Sequence, residues 1–179
     1  MIYGERIRLR AIERADLPFF VEWLNDPQVR HGLTLYLPLS MAEEEEWFEK
    51  MLQCPPVERP LAIEVRDGDT WQLIGNCGLF KIDWKNSSAE LGIFIGRKDL
   101  WNQGYGSETV HLLCRHGFDT LNLHRIYLHV YDYNLRAIRA YEKCGFVKEG
   151  RLREARYTDG KYYDVWIMSI LRSEWEKMR

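Results

Sequence analysis

The segment from Ala89 to Phe118 constrains the fold most. A strand-forming run, AELGIFIG (Ala89–Gly96), leads through WNQGYGSE (Trp101–Glu108) into a run of helix formers, ETVHLLCRHGF. Glycine takes backbone angles that other residues resist and lets a ligand approach the main chain. A helix N-terminus presents unpaired N–H groups and a partial positive charge. A strand, a glycine loop and a helix start together make either an anion site or a plain tight turn. A Walker loop is excluded, because Gly106-Ser107-Glu108 lacks the lysine that holds β- and γ-phosphates. A dinucleotide fingerprint is excluded too, since Thr109 stands where its third glycine belongs and the loop lies past the middle of the chain.

Periodicity assigns the flanking elements. ERIRLRAIE (Glu5–Glu13) alternates and reads as a strand. Asp16 before Leu17-Pro18 marks a helix start, and Ser40 with Glu43 forms a capping box ahead of a second helix. Leu61–Asp67, Trp71–Asp83 and Ala89–Gly96 read as an antiparallel meander. After the glycine helix come a strand at Arg125–Tyr131 and a helix at Asn134–Cys144 closed by Gly145. A hairpin turning at Asp159-Gly160 and a last strand, YDVWIMSIL, finish the chain. The strand–helix–strand unit around the loop requires a parallel pair. The expectation is one α/β (α+β) domain over residues 1–179, with a mixed, mostly antiparallel twisted sheet and helices on both faces.

Composition limits the function. At 179 residues with a formal net charge of −2 there is no basic excess, which argues against a nucleic-acid partner. Cys54, Cys77, Cys114 and Cys144 show no zinc spacing, so no metal is expected and the thiols read as reduced. No signal h-region and no membrane-length apolar run appear, and the expected location is the cytoplasm. On the Asn134–Cys144 helix, Asn134, Ala137 or Ile138, and Tyr141 share a face. They form either a site wall or an ordinary cap and a packed aromatic.

The stretches ERIRLRAIERADL, AELGIFIG with WNQGYGSE, LNLHRIYLHVYDYNLRAIRAYEKCGFVKEGRLR and YTDGKYYDVWIMSIL together resemble the GNAT superfamily of N-acetyltransferases. The resemblance spans essentially the whole chain. It points to the branch of ribosomal-protein N-terminal and spermidine acetyltransferases. The chain departs at Trp101, where the motif usually has Gln or Arg, and at Asn102, where the branch often has Gly. The resemblance implies acetyl-CoA as co-substrate, its pyrophosphate held by the loop Asn102, Gln103, Gly104, Tyr105, Gly106 and Ser107. It implies pantetheine along Ile93, Phe94 and Ile95, and a hydrogen bond from Asn134. Trp101 would pack on the cofactor or only on the protein.

The chemistry then sets roles. An amine attacking a thioester must be neutral, whereas a free alkylamine has a pKa of about 10. By the resemblance Tyr141 protonates the leaving thiolate, and an amide of Phe94 or Ile95 faces the developing negative charge. Glu90 reads as the base acting through water or as a solvated strand-end charge; Asp83, Tyr131 and Tyr133 are weaker candidates for the same role. The acidic run Glu43–Glu46 reads as a cap with a solvated helix face, or as an attractor for a polyamine or basic peptide. The partner is an amine acceptor: a protein N-terminus, a polyamine or an amino sugar or small-molecule amine. A homodimer is compatible with the family. The alternative is a non-catalytic acyl-CoA-binding module or sensor.

Overall fold

The meander expected in the middle of the chain is the centre of one larger sheet. The computed structural model describes residues 1–178. In chain order the strands are β1 (Ile2–Tyr3), β2 (Ile7–Ala11), β3 (Leu61–Asp67), β4 (Thr70–Asp83), β5 (Ser88–Ile95), β6 (Arg125–Tyr131), β7 (Val147–Thr158) and β8 (Lys161–Leu171). The helices are α1 (Leu17–Asn25), α2 (Pro27–Arg30), α3 (Met41–Gln53), α4 (Tyr105–Arg115), α5 (Leu135–Lys143) and α6 (Arg172–Lys177). The eight strands lie in the order β1-β2-β3-β4-β5-β6-β8-β7. Every neighbouring pair is antiparallel except β5 with β6, the pair that the strand–helix–strand unit demands.

Alternation along the strands builds a core on each face. Ile126, Leu128 and Val130 of β6 point with Ala89 and Leu91 of β5 toward Val110, Leu113 and Cys114 of α4, Ile138 of α5 and Trp175 of α6. The opposite face buries Leu17, Phe20 and Trp23 of α1, Val29 of α2, and Phe48 and Met51 of α3. Helices therefore cover both faces, as the hydrophobic pattern implies. The four cysteines are free thiols, three of them buried. No helix among the described residues is long and apolar enough to cross a membrane.

Several elements differ from the sequence reading. α2 is one turn capped by the Asp26 carboxylate, which accepts from Gln28 N–H at 2.8 Å. α6 follows the last strand, with Leu171 N–H donating to Glu174 at 2.8 Å. Asp16 does not cap α1 with its side chain. Its carboxylate accepts from Glu13 N–H at 2.8 Å and takes a two-pronged grip from Arg10 at 2.7 and 2.8 Å, so a charge-assisted network has claimed it. The capping box of Ser40 and Glu43 is present in full. The hairpin turns at Asp159 and Gly160, both with positive φ (51° and 76°), as that dipeptide favours.

Candidate active site

β5 and β6 pair only from Ser88–Arg125 to Glu90–Tyr127 and then part. Beyond that point β5 still pairs with β4 as far as Ile95, and β6 still pairs with β8 as far as Tyr131. The edge of β5 facing β6 is therefore left without a strand partner over residues 91–95. The wedge opens into a cavity of about 620 Å³. Its walls include Glu90, Ile93, Phe94 and Ile95 on one side, His129, Tyr131, Asn134 and Tyr141 on the other, and Asn102 with Gly104–Ser107 at the mouth.

The loop has the geometry of an anion cradle. Gly104 is the N-cap of α4 at φ 89° and Asn102 lies at φ 61°. The first helical hydrogen bond of α4 runs from Glu108 N–H to Gly104 O. The amides of Tyr105, Gly106 and Ser107 thus have no acceptor within the helix and stand at the cavity mouth. A Cβ on Gly104 would sit 3.2 Å from the Arg6 guanidinium, in a backbone region that side chains resist.

Arg6 fixes this loop, which the sequence did not single out. Its N–H and Nε donate to Glu108 at 2.8 and 2.9 Å, its Nη1 donates to Gln103 O at 3.1 Å, and its guanidinium lies 4.6 Å over the Tyr105 ring. Gln103 is the one expected cofactor-site residue that does not line the cavity. Its carbonyl is held by Arg6 and its side chain donates to Asp99 O at 2.7 Å, so it shapes the loop from behind. Trp101 lines the cavity and is held in place by protein contacts. Its indole N–H donates to Ile95 O at 2.9 Å, and the Arg136 guanidinium covers its ring at 3.5 Å. Arg136, Arg139 and Lys143 of α5 line the cavity, and none forms an ion pair among the described residues. Their spacing of three and four places them along one helix flank, a signal legible in RAIRAYEK.

Tyr141 is 9% exposed, and burial is the main cause that pushes its phenol up to about 12. Its hydroxyl has no protein hydrogen-bond partner among the described residues, and its ring packs 6.0 Å from that of Phe146. The phenol therefore stays protonated throughout the physiological range. Asn134 satisfies both readings: it caps α5 by accepting from Ala137 N–H at 3.3 Å, and it lines the cavity.

Glu90 stands where the strands separate. Burial would raise its carboxyl, but Lys81 and His129 outweigh that and hold it below the usual carboxylate range. Lys81 Nζ lies 2.7 Å from Oε2, and His129 Nδ1 lies 2.7 Å from Oε1. Neither partner was named from the sequence. The alternation of RIYLHVY does place His129 on the polar face of its strand with Tyr127 and Tyr131. Tyr131 lines the cavity. Tyr133 turns its hydroxyl to His31 O at 2.9 Å, and Asp83 caps its own turn through Asn86. The latter two are engaged outside the cleft.

Comparison with known proteins agrees with this geometry. Residues 6–147 match the family model described as an acetyltransferase (GNAT) domain. An uncharacterised N-acetyltransferase, p20, of Bacillus licheniformis is 32% identical over 97% of each chain. The spermidine N(1)-acetyltransferase of Vibrio cholerae is 34% identical over 96% of each chain. The crystal structure of spermidine N-acetyltransferase from Vibrio cholerae, in complex with CoA and spermine, superposes with a TM-score of 0.87 at 34% identity. It covers 97% of this chain and 99% of that one. The chain is thus an acetyl-CoA-dependent N-acetyltransferase and belongs to the GNAT family.

Proposed function

We propose that this chain, as a single domain, moves an acetyl group from acetyl-CoA directly onto a primary amine. The observation that carries the reading is one cavity holding a glycine-loop helix start at its mouth, an unpaired strand edge along its wall and a buried phenol at its side. The residues fit the co-substrate. The amides of Tyr105, Gly106 and Ser107, with Asn102 and Gly104, would hold the pyrophosphate. Arg136, Arg139 and Lys143 supply positive charge beside it. Ile93–Ile95 offers backbone groups for pantetheine, and Asn134 hydrogen-bonds nearby. Tyr141 donates its proton toward the leaving sulfur, an amide of Phe94 or Ile95 faces the charge developing on the acyl oxygen, and Glu90 belongs to the group of side chains that relieves the amine of its proton.

The acceptor is a protein N-terminus, a polyamine or another small amine. The crystallised Vibrio relative holds spermine, which puts polyamines first in any panel. Glu90 is the only carboxylate among the residues lining the cavity. The test is thiol release from acetyl-CoA with spermidine, spermine, an aminoglycoside, an amino-sugar nucleotide and peptides with free N-termini. Tyr141→Phe is run beside wild type. Release with one amine class, reduced about 100-fold or more in the variant, supports the reading and names the acceptor. CoA binding without release from any amine favours an acyl-CoA-binding module. Absence of both release and CoA-induced tryptophan quenching refutes the assignment.

A further inference from the structure

We infer that His129 is the general base that takes the proton from the acceptor amine, and that Glu90 is the residue that positions it. This rests on the transferase reading above. His129 lines the cavity at the point where β5 and β6 separate, with its side chain 38% exposed. Its Nδ1 lies 2.7 Å from Glu90 Oε1. The carboxylate is also gripped by Lys81 at Oε2, 2.7 Å away, and is held ionised. An ionised carboxylate can only accept, so Nδ1 carries the hydrogen and the lone pair sits on Nε2. Both Glu90 oxygens are thereby engaged in charge-assisted bonds, which leaves the carboxylate itself a weak base. Imidazole is the side chain that changes charge nearest neutral pH, and an orienting carboxylate fixes its tautomer.

The surroundings are consistent with this role. From β5 Glu90 bonds to the ring, and from β4 Lys81 reaches Glu90 behind it. On its own strand Tyr127 stands edge-on at 6.0 Å, with Tyr131 two residues beyond. Across the sheet its partner on β8 is the apolar Ile167. No second cation touches the imidazole among the described residues.

The proton count closes. The acceptor arrives as R–NH3⁺, and His129 Nε2 takes one proton, freeing the nitrogen lone pair. The N–C bond forms as the C–S bond breaks, and the electron pair of that bond leaves on sulfur. Tyr141 gives sulfur a proton, and the second proton lost by nitrogen restores the phenol. The products are an N-substituted acetamide, a free thiol and one proton, which His129 releases to solvent.

The experiment is kcat/KM against pH for wild type, His129→Gln and Glu90→Gln, with the panel amine that turns over and with CoA affinity read from tryptophan quenching. His129→Gln is expected to lose about 100-fold at pH 7. Its acid limb should become that of the amine itself, while CoA affinity stays within about threefold. Glu90→Gln should lower kcat while CoA affinity is kept, because the imidazole loses the carboxylate that fixes its tautomer and faces the charge it gains. A merely structural Glu90 would weaken CoA binding and stability along with the rate, and a Glu90→Gln variant at wild-type kcat overturns its positioning role. A His129→Gln variant within about threefold of wild type overturns the proposal. The His129 tautomer read from the imidazole nitrogen resonances by NMR gives a second arm that needs no turnover, and a neutral ring with its hydrogen on Nε2 rather than Nδ1 also overturns it. Loss of the transferase reading shows differently, as wild type that neither releases thiol nor binds CoA.

Discussion

Glu44→Gln probes a buried charge that the acidic run conceals. Of the four glutamates, Glu43 belongs to the capping box and Glu46 pairs with Lys50 at 2.6 Å. Glu45 is exposed, but Glu44 is 5% exposed. It lies on the inner face of α3 with Phe48 and Met51, and no hydrogen bond or ion pair compensates it among the described residues. Desolvation raises its carboxyl from the ordinary value to about 7. The raised value means that the folded protein holds a proton which the unfolded chain releases near pH 4.5. The group's contribution is therefore fully present below that pH and is lost as pH rises through about 7. A shift of this size corresponds to about 3 kcal/mol as an upper bound, and partial solvation of the helix reduces it to about 1–2 kcal/mol. Gln is nearly isosteric and neutral at every pH. Urea unfolding of both proteins from pH 4.5 to 8.5 should give stabilities that coincide at the acid end. The variant should become more stable by that amount above pH 8. A pH-independent difference, or a less stable variant at pH 8, refutes the reasoning.

Three further perturbations address the scaffold and the site. Arg6→Ala removes the ties on Glu108 and Gln103 O, and the CoA dissociation constant should rise about five- to tenfold, read by tryptophan quenching. Glu64→Ala strips Arg8 and Arg10 of the carboxylate they share on β3, where it is 6% exposed. Because Arg10 keeps Asp16, the cost should be about 3 kcal/mol in urea unfolding, the low end for a broken buried pair. Tyr141→Phe deletes a hydroxyl with no protein partner, so stability should change by less than about 0.5 kcal/mol while turnover collapses. Because burial keeps the phenol protonated to about 12, wild-type activity should show no loss from this group up to pH 10.

The depth of what could be read from the sequence follows from the range of each interaction. The parallel pairing of β5 with β6 was legible, because a strand, a glycine loop and a helix leave few other connections. The loop's shape was legible because it depends on backbone amides and on residues tolerant of positive φ, and these are local. That Asn134 and Tyr141 face one cavity was legible through helical spacing. What escaped is what arrives from elsewhere in the chain. Arg6 reaches Glu108 from 102 positions away, and Lys81 reaches Glu90 only because β4 bulges and sets Lys81 at φ 51°. α2 and α6 are too short to establish a period, although Asp26 before Pro27 carried a cap signal for α2.

The acidic run shows the same limit in reverse. Four consecutive glutamates invite a uniform reading as a solvated face, yet a helix turns each one about 100° from the last, so one of four must face inward whenever the helix packs. Helical spacing assigns Trp47, Phe48, Met51 and Leu52 to one apolar stripe; Phe48 and Met51 are buried, Leu52 is left 41% exposed, and a count back by four from Phe48 reaches Glu44. The information was present in the spacing, but residue type outweighed position in the reading. The same inversion applies to His129. It alternates in phase with Tyr127 and Tyr131, two residues past the last residue of β6 that pairs with β5. Its partner Glu90 had already been chosen as a site residue from a different strand. Sequence selected Glu90 and only placed His129 on the polar face of its strand, and the parallel register of the two strands joined them.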